Sequence, residues 1–180
     1  MKLFEHNGEA PVLERLTRSN VDGKRIYQTP SGDGYPSVTT VLSILGKEDI
    51  QKWRDRVGHE EANRISTQAL RRGTAVHKLC EDYLDNDPDY SKKHMPANIH
   101  MFNTMRPILD DCINNIWYQE CFLYSNELET AGQVDCIAEW NGELAVIDFK
   151  TSRKPKKEEW ILNYYCLLYT SPSPRDLSTS

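Results

Sequence analysis

The sequence predicts an α/β domain: a mixed β-sheet flanked by helices, with an N-terminal β-hairpin and a helical region ahead of it. Three observations predict it. Apolar residues keep helical spacing through much of 48–84 and again at 97–113. Three strands then follow, at 116–124, 131–140 and 143–151. The last two flank Asn141-Gly142, the strongest short signal for a tight hairpin.

The elements follow in chain order. "VLERLTR" and "KRIYQT", at 12–18 and 24–29, alternate weakly around "SNVDG" and read as a hairpin. "TPSGDGYPS" at 29–37 reads as a loop. Ser37 is placed to cap a short helix over 38–45, stopped by Gly46. Residues 48–84 are helix-rich, with Gly58 and Gly73 as expected breaks. Trp53, Val57, Ala75, Val76, Leu79 and Tyr83 mark the apolar stripe. "DNDPDYSKKHMP" at 85–96 is a loop, and a last helix is expected from Lys156 to Tyr165.

A chain of 180 residues predicts one domain with an adequate core. It is 38% hydrophobic and 27% charged, an ordinary globular balance. No apolar run approaches the ~20 residues of a membrane span, and "MKLFEHNGEAP" lacks a signal-peptide core. Cys80, Cys112, Cys121, Cys136 and Cys166 form no C-x-x-C pair, so a reducing, cytoplasmic setting without structural zinc is expected. The net charge of −5 argues against a generic polyanion binder. Basic islands at Arg71–Arg72, Lys92–Lys93 and "SRKPKK" (152–157) are each also compatible with a plain solvated face.

The hairpin carries the chemistry. A two-residue turn sets Trp140 opposite Glu143, which puts Asp135 opposite Asp148 and Gln133 opposite Lys150. Val134, Cys136, Ala138, Ile147 and Phe149 are expected on the core side. Opposed carboxylates have Cβ atoms ~5 Å apart and repel each other. A shared proton offsets this, and a hard divalent cation such as Mg²⁺ or Mn²⁺ offsets it better. Lys150 then projects beside the cation, where it can orient or deprotonate a water or stabilise charge on a phosphate. A structural Asp–Lys pair at a sheet end is the alternative.

"GQVD" (132–135) and "DFKTS" (148–152) resemble the G-x-x-D and D-x-K elements of the PD-(D/E)XK nuclease superfamily. "RRGTAVHKLCEDYL" (71–84) resembles the R-G-T-x-x-H motif of its RecB-like exonuclease branch, which includes phage exonucleases and the mitochondrial genome-maintenance type. "YPSVTTVLSIL" (35–45) has the look of the phage members. The resemblance spans most of residues 12–165 and implies a restriction-endonuclease-like core. It implies a DNA exonuclease using Mg²⁺ or Mn²⁺, in the bacterial cytoplasm or a phage-infected host, serving DNA degradation, recombination or repair. By the same resemblance His77 is a metal ligand with Asp135, Asp148 and the Phe149 carbonyl, and Glu120 is a candidate third carboxylate. Glu81, at i+4 from His77, can orient its ring, and Gln133 is a candidate supporting residue beside Lys150. Arg72, Thr151, Ser152 and Lys154 are candidates for DNA backbone phosphates. Trp53, Tyr83, Trp117, Tyr118 and Tyr164 can stack bases or serve the core.

The related iron–sulfur nucleases carry a four-Cys set that this sequence lacks, so no cluster is expected. A structure-specific endonuclease of the same fold and a non-catalytic nucleic-acid-binding module are the rival readings. The end, "CLLYTSPSPRDLSTS", matches a translated transposase sequencing adapter. The expectation is a nuclease domain over 1–165, incomplete at its C-terminus, followed by a non-native, disordered tail over 166–180.

Overall fold

The structure, a computed structural model, describes residues 2–44 and 46–152. The expected helix from Lys156 to Tyr165, Lys154, Tyr164 and the 166–180 tail lie outside the described residues. The described chain is mixed α/β and divides into two compact units. One comprises residues 2–10, Arg54–Glu120 and Asp135–Thr151; the other comprises Pro11–Trp53, Cys121–Val134 and Ser152. No helix among the described residues is long and apolar enough to cross a membrane.

The first unit opens with β1 (Glu5–His6), a two-residue strand parallel to β5 (Ile113–Ser125) that the sequence did not announce. It is held from outside its own sequence. The Asn86 side chain accepts from Phe4 N at 2.8 Å and donates to Phe4 O at 3.0 Å. The helices of this unit are the part of α2 (Lys47–Val57) from Arg54 onward, α3 (His59–Leu84) and α4 (Pro96–Cys112). Gly58 breaks α2 from α3 with φ +87, a conformation that favours glycine. Gly73 does not break α3, contrary to the sequence reading. Burial of Ala62, Val76, Leu79, Cys80, Tyr83 and Leu84 along one helix outweighs the ~1 kcal/mol that an interior glycine costs.

The sheet order is β1-β5-β6-β7, with β6 at Thr130–Trp140 and β7 at Glu143–Ile147. The β6–β7 turn is Asn141-Gly142, both at positive φ (53° and 86°), as a type I′ turn requires. The register is the expected one, from Trp140↔Glu143 to Cys136↔Ile147. The strand is shorter than expected. β7 ends at Ile147 because Phe149 N donates to the Asp135 side chain, so the ladder does not run on to Gln133 and Lys150.

The core of this unit joins Phe4, Val76, Leu79, Tyr83, Phe102, Leu109, Cys136, Ala138 and Phe149. Tyr83 is its hub, edge-on to Phe4, Tyr90 and Phe102 with centroids at 5.5, 5.0 and 5.2 Å. Such pairs contribute about 0.5–1.5 kcal/mol each. Its hydroxyl donates to Asp110 Oδ1 at 2.6 Å. Tyr83 is therefore core and not a base-stacking surface. Ile137 is also buried, so the sheet is covered where strand alternation alone predicts an open face.

The second unit holds β2 (Thr17–Val21), β3 (Lys24–Gln28), β4 (Gly34–Pro36) and α1 (Val38–Leu42). The expected hairpin is present, but its turn is Asp22-Gly23 alone, at φ 51° and 74°. That two-residue turn moves the first strand from 12–18 to 17–21. Part of the expected 29–37 loop pairs with β3 as β4. Ser37 Oγ accepts from Thr40 N at 3.0 Å, the predicted cap, and α1 ends at Leu42 rather than 45. Leu16, Tyr27 and Ala131 form the core here, packed by Tyr35, Phe122 and Tyr124.

Candidate metal centre

α3 buries Val76, Leu79, Cys80 and Tyr83, which leaves His77 at the margin of the core with its side chain 29% exposed. Asp135 lies in the same unit, at the point of β6 just past the last β7 pair. Its Oδ1 is 3.4 Å from His77 Nδ1, and its Oδ2 accepts from Phe149 N at 2.6 Å. The Phe149 ring stands perpendicular to the His77 ring, centroids 6.2 Å apart.

Glu120 completes a cluster. Ligand atoms of His77, Glu120 and Asp135 lie within 4.8 Å of one another. Glu120 sits in β5 at φ 49, a left-handed conformation unusual for a non-glycine residue inside a strand. The family resemblance made Glu120 only a candidate third carboxylate. The positive φ that aims it is invisible to a pattern of side-chain types.

The electrostatics follow from burial and like charge. Burial, then the Asp135 and Glu81 carboxylates, pushes the Glu120 carboxyl above its ordinary range. Burial also raises Asp148, partly offset by its Lys150 partner. The hydrogen bond to Asp135 raises His77 despite its desolvation, with the Phe149 backbone as a further partner. A cation placed among these groups would relieve the cost of ionising both carboxylates. One imidazole with carboxylate oxygens suits a divalent metal.

The other expected residues fall as follows. Asp148 pairs with Lys150 Nζ and is not one of the three clustered donors, although the charges of Asp135 and His77 are felt at it. Glu81 pairs with Lys78 Nζ at 3.0 Å, while His77 takes Asp135 and Phe149 as partners. Gln133 belongs to the second unit, where its Oε1 accepts from Arg18 Nη1 at 3.5 Å. Arg72 is half-buried on α3, and Thr151 lies against Gly73 of the same helix. Ser152 is exposed.

No family model matches the chain. Its curated relatives include three proteins named mitochondrial genome maintenance exonuclease 1. The Xenopus tropicalis protein is 31% identical over 130 residues, covering 67% of this chain and 37% of that protein. The human protein is 29% identical over 132 residues, covering 67% and 38%. The mouse protein is 26% identical over 129 residues, covering 67% and 38%. The matched stretch thus spans less than two-fifths of the length of these relatives. The chain is a distant relative of proteins named as genome maintenance exonucleases.

Proposed function

We infer that this chain is the catalytic region of a metal-dependent deoxyribonuclease that hydrolyses phosphodiester bonds from a DNA end. The convergence of His77, Glu120 and Asp135 from α3, β5 and β6 carries the reading. The exonuclease name of the relatives supports it. His77, Asp135 and Glu120 would hold Mg²⁺ or Mn²⁺, with Asp148 and the Phe149 carbonyl as further donors. The ion, when bound, polarises the phosphoryl oxygen and acidifies an attacking water.

The chain's own residues divide the remaining work. Asp135 orients the His77 ring and, through Phe149 N, the segment that carries Asp148 and Lys150. Asp148 holds the Lys150 ammonium. As an ammonium Lys150 would stabilise charge developing on the phosphate, and only after giving up its own proton would it take one from the water. Arg72, Thr151 and Ser152 are the described candidates for DNA backbone contacts. The PD-(D/E)XK assignment, a bacterial or phage setting and a reducing cytoplasm belong to the same proposal.

The test uses end-labelled linear and covalently closed circular single-stranded DNA with Mg²⁺, Mn²⁺ or EDTA. Metal-dependent loss of linear DNA alone, abolished by Asp135→Asn, is the expected result. Cutting of the circle would establish an endonuclease instead. DNA binding without any hydrolysis would establish a binding module.

A further inference from the structure

The second unit carries a basic hairpin that takes no part in the metal cluster. Residues 14–28 hold four basic and two acidic side chains, in a chain of net charge −5. Of the two acids, Glu14 accepts from the Tyr124 hydroxyl and Asp22 lies in the turn. Every residue of β2 is exposed, and so are Lys24 and Arg25 of β3. The register sets Arg18 opposite Tyr27 and Asn20 opposite Arg25. Alternate residues of a strand share a face, so Arg18, Asn20 and Arg25 lie on one face and Lys24 on the other.

Arg18 and Arg25 are therefore diagonal neighbours, about 7–8 Å apart. Neither makes an ion pair among the described residues, and Arg18 Nη1 donates to the neutral Gln133 Oε1 at 3.5 Å. Edge protection accounts for Arg18, because β2 is an edge strand and charge blunts an edge. It does not account for Arg25. β3 is the central strand, and the Arg25 carbonyl accepts from Ser37 N at 3.0 Å on the β4 side. Ser37 is buried and bridges to Ala131, which fixes the base of the hairpin. Two like charges are thus held side by side on a fixed ladder without a carboxylate between them. Their spacing is comparable with that of neighbouring phosphates along one strand.

We propose that the β2–β3 hairpin is a DNA-backbone contact surface on which Arg18 and Arg25 take two neighbouring phosphates of one strand. The exposed guanidiniums donate charge-assisted hydrogen bonds to the phosphate oxygens. Such contacts position the strand without reading its sequence, which suits an enzyme that works along DNA from an end. That the polyanion is DNA rests on the nuclease reading above; the paired guanidiniums are a binding claim of their own.

The test is fluorescence anisotropy of a labelled single-stranded oligothymidylate with the full 180-residue chain in EDTA, over a salt series. Arg18→Gln and Arg25→Gln are each expected to weaken binding several-fold and to lower the salt slope by about 0.7, the equivalent of one phosphate. The double variant should lose about 1.4. Replacing both arginines by lysine keeps the charge and should keep the slope. Lys24→Gln, on the opposite face, should leave the slope alone. A wild-type slope in the double glutamine variant would overturn the surface, as would no binding by the wild type. An equal loss in the lysine variant would trace the effect to folding, and an equal loss at Lys24 to bulk charge; either overturns it too. Slope losses at the arginines in a protein that hydrolyses no DNA would sink the nuclease reading and leave the surface standing.

Discussion

Phe149 N donates to Asp135 Oδ2 at 2.6 Å, and this bond ties the end of the hairpin ladder to the candidate metal centre. The carboxylate takes a backbone donor on one oxygen and faces His77 with the other. Position 135 therefore has a structural duty and a chemical one, and substitution can separate them.

Asp135→Asn keeps an acceptor for Phe149 N but loses the charge. With EDTA the variant is expected to melt at or above the wild-type temperature, because like charge with Glu120 is removed. With Mn²⁺ at a hundred times its Kd, the wild type should gain about 2.7 kcal/mol, and the variant should gain almost none. Thermal melts with and without Mn²⁺ check this. An equal gain in both proteins would remove Asp135 from the metal site.

Glu120 makes a pH prediction. Its folded-state carboxyl is raised by burial and by Asp135 and Glu81. The folded protein thus holds that proton more tightly than the unfolded chain does. The stabilisation is fully present below the unfolded value of about 4.3 and is lost as pH rises through the raised folded value. Glu120→Gln removes the ionisation. Its melting advantage over wild type in EDTA should be absent near pH 4 and grow toward pH 7.5. An advantage that does not change with pH would remove the like-charge cost.

The φ of 49 at Glu120 makes a separate one. Alanine there should be less stable than glycine by about 1–2 kcal/mol, the cost of a Cβ in the left-handed region. Urea melts of Glu120→Ala and Glu120→Gly compare the two directly. Equal stability would mean that the strand relaxes.

Lys150→Met should separate chemistry from folding. Lys150 is exposed and its ion pair with Asp148 is of the partly solvated kind, worth about 0–1 kcal/mol. The melting temperature should barely move and Mn²⁺ should still stabilise the protein. The cleavage rate should fall about 10²–10⁴-fold, the usual contribution of a positioned proton-transfer group. A rate within a few-fold of wild type would place Lys150 outside the reaction.

Local chemistry was readable without coordinates. Asn141-Gly142 set the turn, the turn set the register, and the register brought Asp135 to the end of the β6–β7 ladder. Ser37 is the α1 cap, and Gly58 is a helix break, because both act on bonds within a few residues of themselves. Tertiary structure decided what depends on distant neighbours. α3 passes through Gly73 because its apolar face is buried along its length. β1 forms because Asn86 holds Phe4. β7 stops at Ile147 because Asp135 takes the Phe149 N–H, so Asp148 turns to Lys150. Glu120 joins His77 and Asp135 through a backbone angle that its residue type disfavours. A sequence pattern specifies which face a side chain takes along an ideal element; where the element ends or twists is set by the contacts it makes across the fold.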